Sequence, residues 1–408
     1  MIKRILSILP TLLLGACCTT NRTTVQPSID VAGNATSTAT GNYTATKEMD
    51  FWGGLFRETL LSNSTENVCI SPLSAEMALT MAATGAEGET FEELIRCLQA
   101  GEDFKSDANK IVNSFKENHN DRYEARLANS IWINDRLEVK ESFLDTNSDS
   151  LAAEAHSLPF NDQAVKTINS WCNEQTNGKI PTIVNALNPN DQAILINTVY
   201  FKAGWSKKFE KDATTLEPFT KDDGEVVDAM MMKQTFRTSY YEDDLVQVAS
   251  KSFRMRFYML LVLPKESVSY SDAVNHTALS LMDIKNNMET HELTLGMPRF
   301  RFSFSTSLKP VLSSMGIERA FDNRADFGGI SDMPLYLSDV LQKTYISVDE
   351  EGAEAAAATG IRTGAMSMPK PAERKTMILD RPFMYAIIDN ATGEVMFAGR
   401  VTEPYIGE

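Results

Sequence analysis

The chain reads as an α+β fold with large, mostly antiparallel sheets, and three observations lead there. Helical periodicity dominates the first half and strand-like runs dominate the second, in neither a regular alternation nor two clean blocks. A length of 408 residues with 43% hydrophobic side chains is enough for a large core. No internal repeat or interior low-complexity linker divides the chain, so a single folded unit is expected from about Lys47.

The first residues stand outside that unit. Lys3 and Arg4 precede an apolar stretch, Ile5 to Leu14, that is too short to span a bilayer, and Leu14-Gly15-Ala16-Cys17 follows. This is the layout of a secretory signal over 1–16. The four residues resemble a bacterial lipobox, which implies that Cys17 becomes a lipidated N-terminus; ordinary secretion with Cys17 near the cut is the plainer alternative. Residues 19–46 are rich in Thr, Ser, Asn, Ala and Gly, with little to bury. Segment 17–47 is therefore expected to tether a domain over 48–408 to a membrane, as an outer-membrane lipoprotein displayed at the cell envelope.

Within the domain, apolar residues recur at helical spacing around 48–61 (Phe51, Trp52, Leu55, Phe56, Leu60), 72–83, 90–98, 107–117 and 163–176. Strand-like runs occupy 125–133, 193–201, 245–250, 255–263, 291–304, 335–348, 376–388 and 394–401. Formal net charge is −16, and loss of Lys3 and Arg4 with the leader makes it −18. An acidic domain of this kind has no electrostatic footprint for nucleic acid. Once Cys17 is used, Cys18, Cys69, Cys97 and Cys172 remain without paired spacing, so the last three read as buried thiols and not as a disulfide framework. His119, His156, His276 and His291 are scattered singly, with no metal-ligand spacing, nucleophile turn or phosphate loop for company. No catalytic residue, metal site or cofactor is expected, which favours a binding or inhibitory role over an enzyme.

Residues 350–366 are the oddity. Glu350-Glu-Gly-Ala-Glu-Ala-Ala-Ala-Ala-Thr-Gly-Ile-Arg-Thr-Gly-Ala-Met366 offers nothing to hold a core together. Ala and Glu alone favour a surface helix. The flanks oppose it: Leu337, Tyr345, Ile346 and Val348 have strand character, while Gly360, Gly364, Pro369 and Pro371 deny continuation. Along an extended chain, side chains alternate between faces. Over 353–365 one parity holds Ala353, Ala355, Ala357, Thr359, Ile361, Thr363 and Ala365, all small or apolar; every charge in that span falls on the other, with Glu354, Ala356, Ala358, Arg362 and Gly364. An exposed loop thus carries the pattern of a half-buried strand.

Five segments together resemble the serpin family, in order from about residue 48 to the C-terminus. They are Asn67-Val-Cys-Ile-Ser71-Pro72-Leu-Ser74; Ile168-Asn169-x-Trp171 with Thr176-Asn-Gly178-Lys179-Ile180; Asn197-Thr-Val-Tyr200-Phe201-Lys202-Ala-Gly204-Trp205; Arg381-Pro382-Phe383; and Phe397-Ala-Gly399-Arg400-Val401-x-x-Pro404. The resemblance implies a serpin fold with a large, mostly antiparallel central sheet, further sheets, about nine helices and an exposed reactive-centre loop over about 350–375. In that family a protease cuts the loop as substrate and forms an acyl-enzyme, and the loop inserts as an extra strand before hydrolysis. The small, uncharged parity suits burial on insertion. A domain of this size has a diameter of roughly 50–55 Å, and seventeen extended residues reach about 56 Å, enough to carry the protease from pole to pole.

The resemblance further implies a hinge of Glu350, Gly352, Ala353, Glu354, Ala355, Ala356, Ala357 and Ala358, and a count from it places the reactive bond at Met366-Ser367. Methionine suits elastase-, chymotrypsin- and subtilisin-like proteases, and papain-like cysteine proteases enter as additional targets. Cleavage after Arg362 would shorten the insert, and after Lys370 or Arg374 would force Pro369, and for Arg374 also Pro371, into a central strand. The stretch from Ser367 to Arg381 is longer than in many family members, and a count backward from it moves the site toward Pro371. Ser71, Ser74 and Asn197 are implied to form a polar shutter beneath the sheet, with Gln342 where the family usually has histidine, which argues against a pH-sensitive shutter. Trp205 is implied to pack where the loop enters, and Arg299 to pair with Glu350, as a bidentate fork or as an exposed pair of little worth. The expected partners are target serine proteases, bound covalently by a monomeric inhibitor; a non-inhibitory binding or chaperone-like module is the alternative.

Overall fold

Strands from both halves of the chain close into two sheets, and six of the eight α-helices among the described residues come from the first half. In this computed structural model the described residues are 49–117, 123–151, 153–353 and 373–405, within a folded unit over Lys47–Glu408. In chain order come α1 (Phe51–Ser62), β1 (Val68–Ile70), α2 (Pro72–Ala83), α3 (Gly88–Leu98), α4 (Phe104–Glu117), β2 (Tyr123–Asn134), α5 (Glu141–Leu151), β3 (Glu154–Leu158), α6 (Asp162–Gln175) and β4 (Ala193–Gly204). Next are β5 (Thr214–Thr220), β6 (Val226–Glu242), β7 (Val246–Ser252), β8 (Phe257–Pro264), α7 (Tyr270–Asn287), β9 (Glu289–Pro298), β10 (Phe300–Ser307) and α8 (Lys309–Ser314). The chain ends with β11 (Leu337–Val348), β12 (Gly352–Ala353), β13 (Arg374–Ile378), β14 (Phe383–Asp389) and β15 (Val395–Val401). Eight α-helices are present among the described residues.

The nine-stranded sheet runs β1-β15-β14-β8-β7-β6-β9-β13, with β5 also on β6; the six-stranded sheet runs β10-β11-β12-β4-β2-β3. The larger sheet is antiparallel except for β13 on β9. In the smaller one β2–β3 and, at its middle, β11–β4 are parallel. Two expected strands are each divided. Run 291–304 becomes β9 and β10, which part at Arg299 into different sheets, and run 376–388 becomes β13 and β14, separated at Pro382, which has no amide to donate.

Helix α2 lies between the sheets and is the reason the functional site has a floor. Ser71 caps it, its hydroxyl accepting from Ser74 N, and Pro72 fills the first helical position, where no amide is needed. Eleven of its twelve residues are buried, so it is apolar on all sides and core throughout. On the opposite face of the six-stranded sheet, Ile168, Trp171 and Cys172 of α6 pack with Trp132, Ile194 and Ile196, and with half-buried Leu341 and Tyr345. Both faces of the β11–β4 seam are therefore covered.

Candidate functional site

Strands β11 and β4 pair in parallel from Leu337–Ala193 up to Thr344–Val199. Above that level they part, and β12 enters between them, antiparallel to both: Ala353 lies opposite Val348 and Ala203, and Gly352 opposite Gly204. Two parallel strands moved one strand-width apart present edges that an oppositely directed strand can pair on both sides. Asp349 makes the turn, its Oδ1 accepting from Glu351 N at 2.8 Å and Gly352 N at 3.2 Å. Gly352 admits no side chain, because a Cβ there would run into the Ala203 carbonyl oxygen and lie 2.6 Å from Gly204 Cα. Ala353 is 2% exposed and belongs to the main core. The loop expected to be exposed from Glu350 onward thus begins buried: Glu350, Gly352 and Ala353 are buried and Glu351 is half-buried, because the gap above Thr344 satisfies both edges of β12.

The loop after β4 grips this entry. Trp205 N donates to Glu351 O at 2.8 Å, and Phe209 N to Glu350 O at 3.1 Å. Trp205 Nε1 donates to Asp349 O at 2.8 Å, and its ring stacks on Phe253 with centroids 4.2 Å apart. Arg299 donates from Nε to both Glu350 oxygens at 2.9 and 3.0 Å and from Nη2 to Oε1 at 2.7 Å, while Thr214 Oγ1 donates to Oε1 at 2.6 Å. The Glu350 side chain is only 3% exposed, so this is a buried fork and not a surface pair. Burial pushes the Glu350 carboxyl up, but the hydrogen bonds from Arg299 and Thr214 and the Arg299 charge win and hold it below the ordinary value. Glu351 pairs with Lys208 and, at 3.7 Å, with Lys211.

Lower on the seam the contacts are neutral. Gln342 on β11 accepts from Ser71 N at 2.9 Å and donates to Ser71 O at 2.9 Å and to Asn197 Oδ1 on β4 at 2.8 Å. One amide thereby ties α2 to both strands. Ser74 Oγ lies 3.4 Å from Asn129 Oδ1, and Thr344 Oγ1 donates to Cys69 O at 2.6 Å. Asn197 Nδ2 is buried with no hydrogen-bond partner.

With this geometry the family follows. Residues 46–404 match the model of the family described as Serpin (serine protease inhibitor). The chain belongs to the serpin family. A serpin-like protein of Thermococcus kodakarensis is 36% identical, over 86% of this chain and 84% of the relative, and the leukocyte elastase inhibitor of Sus scrofa is 32% identical, over 86% and 96%. The solved structure of the thermophilic serpin tengpin in the native state is similar at 31% identity and a TM-score of 0.76, covering 88% of this chain and 96% of that one. Human thyroxine-binding globulin complexed with thyroxine is similar at 26% identity and a TM-score of 0.79, covering 88% and 97%.

The structure brings the named serpin residues into two clusters. Arg299, Glu350, Gly352, Ala353 and Trp205 meet at the upper end of the seam; Ser71, Ser74, Asn197 and Gln342 meet beneath its middle. Glu354, Ala355, Ala356, Ala357, Ala358, Met366 and Ser367, with Arg362, Lys370 and Cys17, lie outside the described residues. Arg374 opens β13, where it is exposed and donates to Glu292 at 2.6 Å. Cys69, Cys97 and Cys172 are free and buried, and burial pushes their thiols up to about 11, about 12 and about 12, so they stay protonated.

Sequence reasoning missed Thr214, Lys208, Phe209, Thr344 and Lys251, whose Nζ donates to Lys207 O at 3.0 Å beside the Trp205 and Phe209 rings. Lys251 had a readable signal: at strand spacing it falls between Ala249 and Phe253, on a face that the structure buries. Thr214 and Phe209 had none, since their role is set by contacts with Glu350 from more than a hundred residues away.

Proposed function

We propose that this serpin is an irreversible suicide-substrate inhibitor of serine proteases with apolar primary pockets, cut at Met366-Ser367, in which the segment after β12 then extends β12 down the β11–β4 seam. The protease supplies the nucleophile and is held as the acyl-enzyme; the inhibitor supplies only the strand that moves. Metastability of the uninserted state takes the place of affinity.

The observation that carries this reading is the register of β12. Extended residue by residue against β4 and β11, it places Ala355 between Phe201 and Ile346, and Ala357 between Val199 and Thr344. Val199 and Thr344 are themselves a native pair, as are Asp339 and Ile194, so one strand fits both edges without a shift as far as Arg362, below which Ser338 is an extra residue on β11. Thr359 then falls between Asn197 and Gln342, and Ile361 between Leu195 and Val340, all on the face that Ala353 buries. On the other face Arg362 falls beside Asp339 and Glu354 beside Lys202, two pairs of opposite charge. Arg374 is a poor alternative cleavage site, because it already belongs to β13 beyond the segment that must move.

Incubation with an elastase is the test. A detergent-stable complex and a released C-terminal fragment beginning at Ser367 are expected; cleavage without a complex marks a non-inhibitory binding module, and a fragment beginning at Lys375 overturns the reactive bond. The support for a membrane location is the Leu14–Cys17 motif and the low-burial segment after it. We propose anchoring of a monomer through lipidated Cys17 at the cell envelope, and Cys17→Ala is expected to release the protein from sedimenting membranes.

A further inference from the structure

A cavity of about 300 Å³ lies where β6, β7 and β8 meet the C-terminal end of α7. That is the lower end of the range for small-molecule sites and far more room than one water needs. Its floor is a sheet face written in hydroxyls. Ser252 pairs with Tyr258 and Ser250 with Leu260, and continuing the Tyr240–Ala249 pairing by one residue sets Ser239 opposite Ser250. Cross-strand partners share a face, as do residues two apart along a strand. The three serines and Tyr258 therefore line the cavity from one side. None of the three serine hydroxyls takes part in a hydrogen bond among the described residues.

The charge around this cavity has one sign. None of the described residues that line it carries a carboxylate, and its cations are Arg256 and Lys285. Arg256 is already committed, forked onto Asp389 and donating to Ser114 O at 2.7 Å. Lys285 of α7 makes no ion pair among the described residues and stands over Tyr258, its Nζ 5.6 Å from the ring centroid. In a chain of net charge −16, an unmatched lysine over a cavity without carboxylates is out of keeping with its surroundings. Tyr258 is the sharper sign. It is 9% exposed, and its Oη is buried with no hydrogen-bond partner, an arrangement that native proteins rarely leave unfilled. Burial pushes this hydroxyl up, and Lys285, close by but outside hydrogen-bond geometry, offsets only part of the rise. Tyr258 thus offers an O–H to whatever enters.

We propose that this cavity binds an oxyanion of the phosphate class, with Lys285 supplying the counter-charge and Tyr258, Ser250 and Ser252 the hydrogen-bond donors. An ammonium and a row of hydroxyls suit a group with several acceptor oxygens and more than one negative charge. A water could satisfy Tyr258, but it would leave Lys285 without an anion. Phe253 and Met288 also line the cavity, so there is room and apolar surface for a small organic substituent beside the phosphate. Phe253 is the ring that stacks on Trp205, which makes the cavity a neighbour of the hinge grip. Its own donors are Lys285, Tyr258 and the serines, and the site exists whether or not the loop inserts.

Calorimetric titration of the full chain with phenyl phosphate, and separately with inorganic phosphate, at constant ionic strength tests this. Saturable one-to-one binding is expected. Affinity should fall about tenfold or more in Lys285→Gln, which removes the charge, and at least about threefold in Tyr258→Phe, which removes one hydroxyl and keeps the ring. Tighter binding of phenyl phosphate would assign the site to a monoester, and equal binding to free phosphate; both support the oxyanion site. No saturable binding of either probe to the unaltered protein overturns the proposal and needs no variant. Binding that both substitutions leave unchanged overturns it as well. Elastase takes no part in the readout, so the inhibitory reading stands or falls separately.

Discussion

The two ends of the β11–β4 seam are closed by different chemistry. At the upper end, charges do the holding: the Arg299–Glu350 fork and the Lys208–Glu351 pair. At the middle, one neutral amide, Gln342, bridges Ser71 and Asn197. The difference teaches where solution conditions act. A buried carboxylate fork responds to protons, whereas an amide and hydroxyls do not, so acid should open the seam from the top and leave the middle unmoved. It also orders events, because β12 already occupies the top while the middle remains paired.

The largest effect is expected at Ala353. Its side chain is buried between Val348 and Ala203, and Ala353→Arg would place an unpaired charge in that core. Loss of the covalent elastase complex, with cleavage retained, is the expected result on a denaturing gel. A variant that still forms full complex would remove the hinge from the mechanism.

Arg299→Ala comes next. It leaves Glu350 buried without its fork, and breaking such a pair costs about 3 kcal/mol, equivalent to roughly a hundredfold in the population of opened hinge. Spontaneous insertion or polymerisation on mild heating should accelerate accordingly. An unchanged rate would mean that the upper end is not the latch. Gln342→Leu tests the other end: three buried hydrogen bonds are lost and the Ser71 and Asn197 groups are left unpaired, at about 2 kcal/mol. Its effect should be independent of pH from 5 to 9, in contrast to the acid response of Glu350.

Glu350 gives a smaller, signed pH effect. Its folded value is below the ordinary 4.5, so the stability it contributes is present above 4.5 and lost as pH falls through the folded value. Hinge opening should therefore quicken in acid below that point, and Glu350→Gln should abolish the acid limb alone. An acid limb that survives in Glu350→Gln would assign it to other carboxylates.

How much of this was legible in the sequence depends on how far apart the interacting residues lie. The alternation in 353–365 is local, and the buried side of Ala353 could be read directly. Helix α2 was legible from Ser71-Pro72 and its apolar run. Helix α7 was not, because its buried face includes small and polar residues, Ala273, Thr277 and Ala278, in place of a strong apolar stripe. The division at Arg299 escaped notice because β9 and β10 are separated by a single residue yet join different sheets. Least legible was the parallel seam itself: nothing within β4 or β11 alone specifies a partner more than a hundred residues away, and the gap that admits β12 exists only once both are in place.

The finest distinction between the two ends concerns Thr359. Asn197 Nδ2 is a buried donor with no acceptor while the seam is closed, and in the insertion proposed above the register of β12 would bring Thr359 between Asn197 and Gln342. Such an insertion would separate the Gln342–Asn197 pair and offer a hydroxyl to both amides in exchange. Thr359→Val, nearly the same shape without the hydroxyl, is expected to leave the native form unchanged and to destabilise the cleaved, inserted form by about 1 kcal/mol. Unfolding of the two forms in guanidinium, side by side, reads this out. Equal shifts in both would mean that Thr359 already contributes before cleavage, and that the middle of the seam is not reserved for the inserted strand.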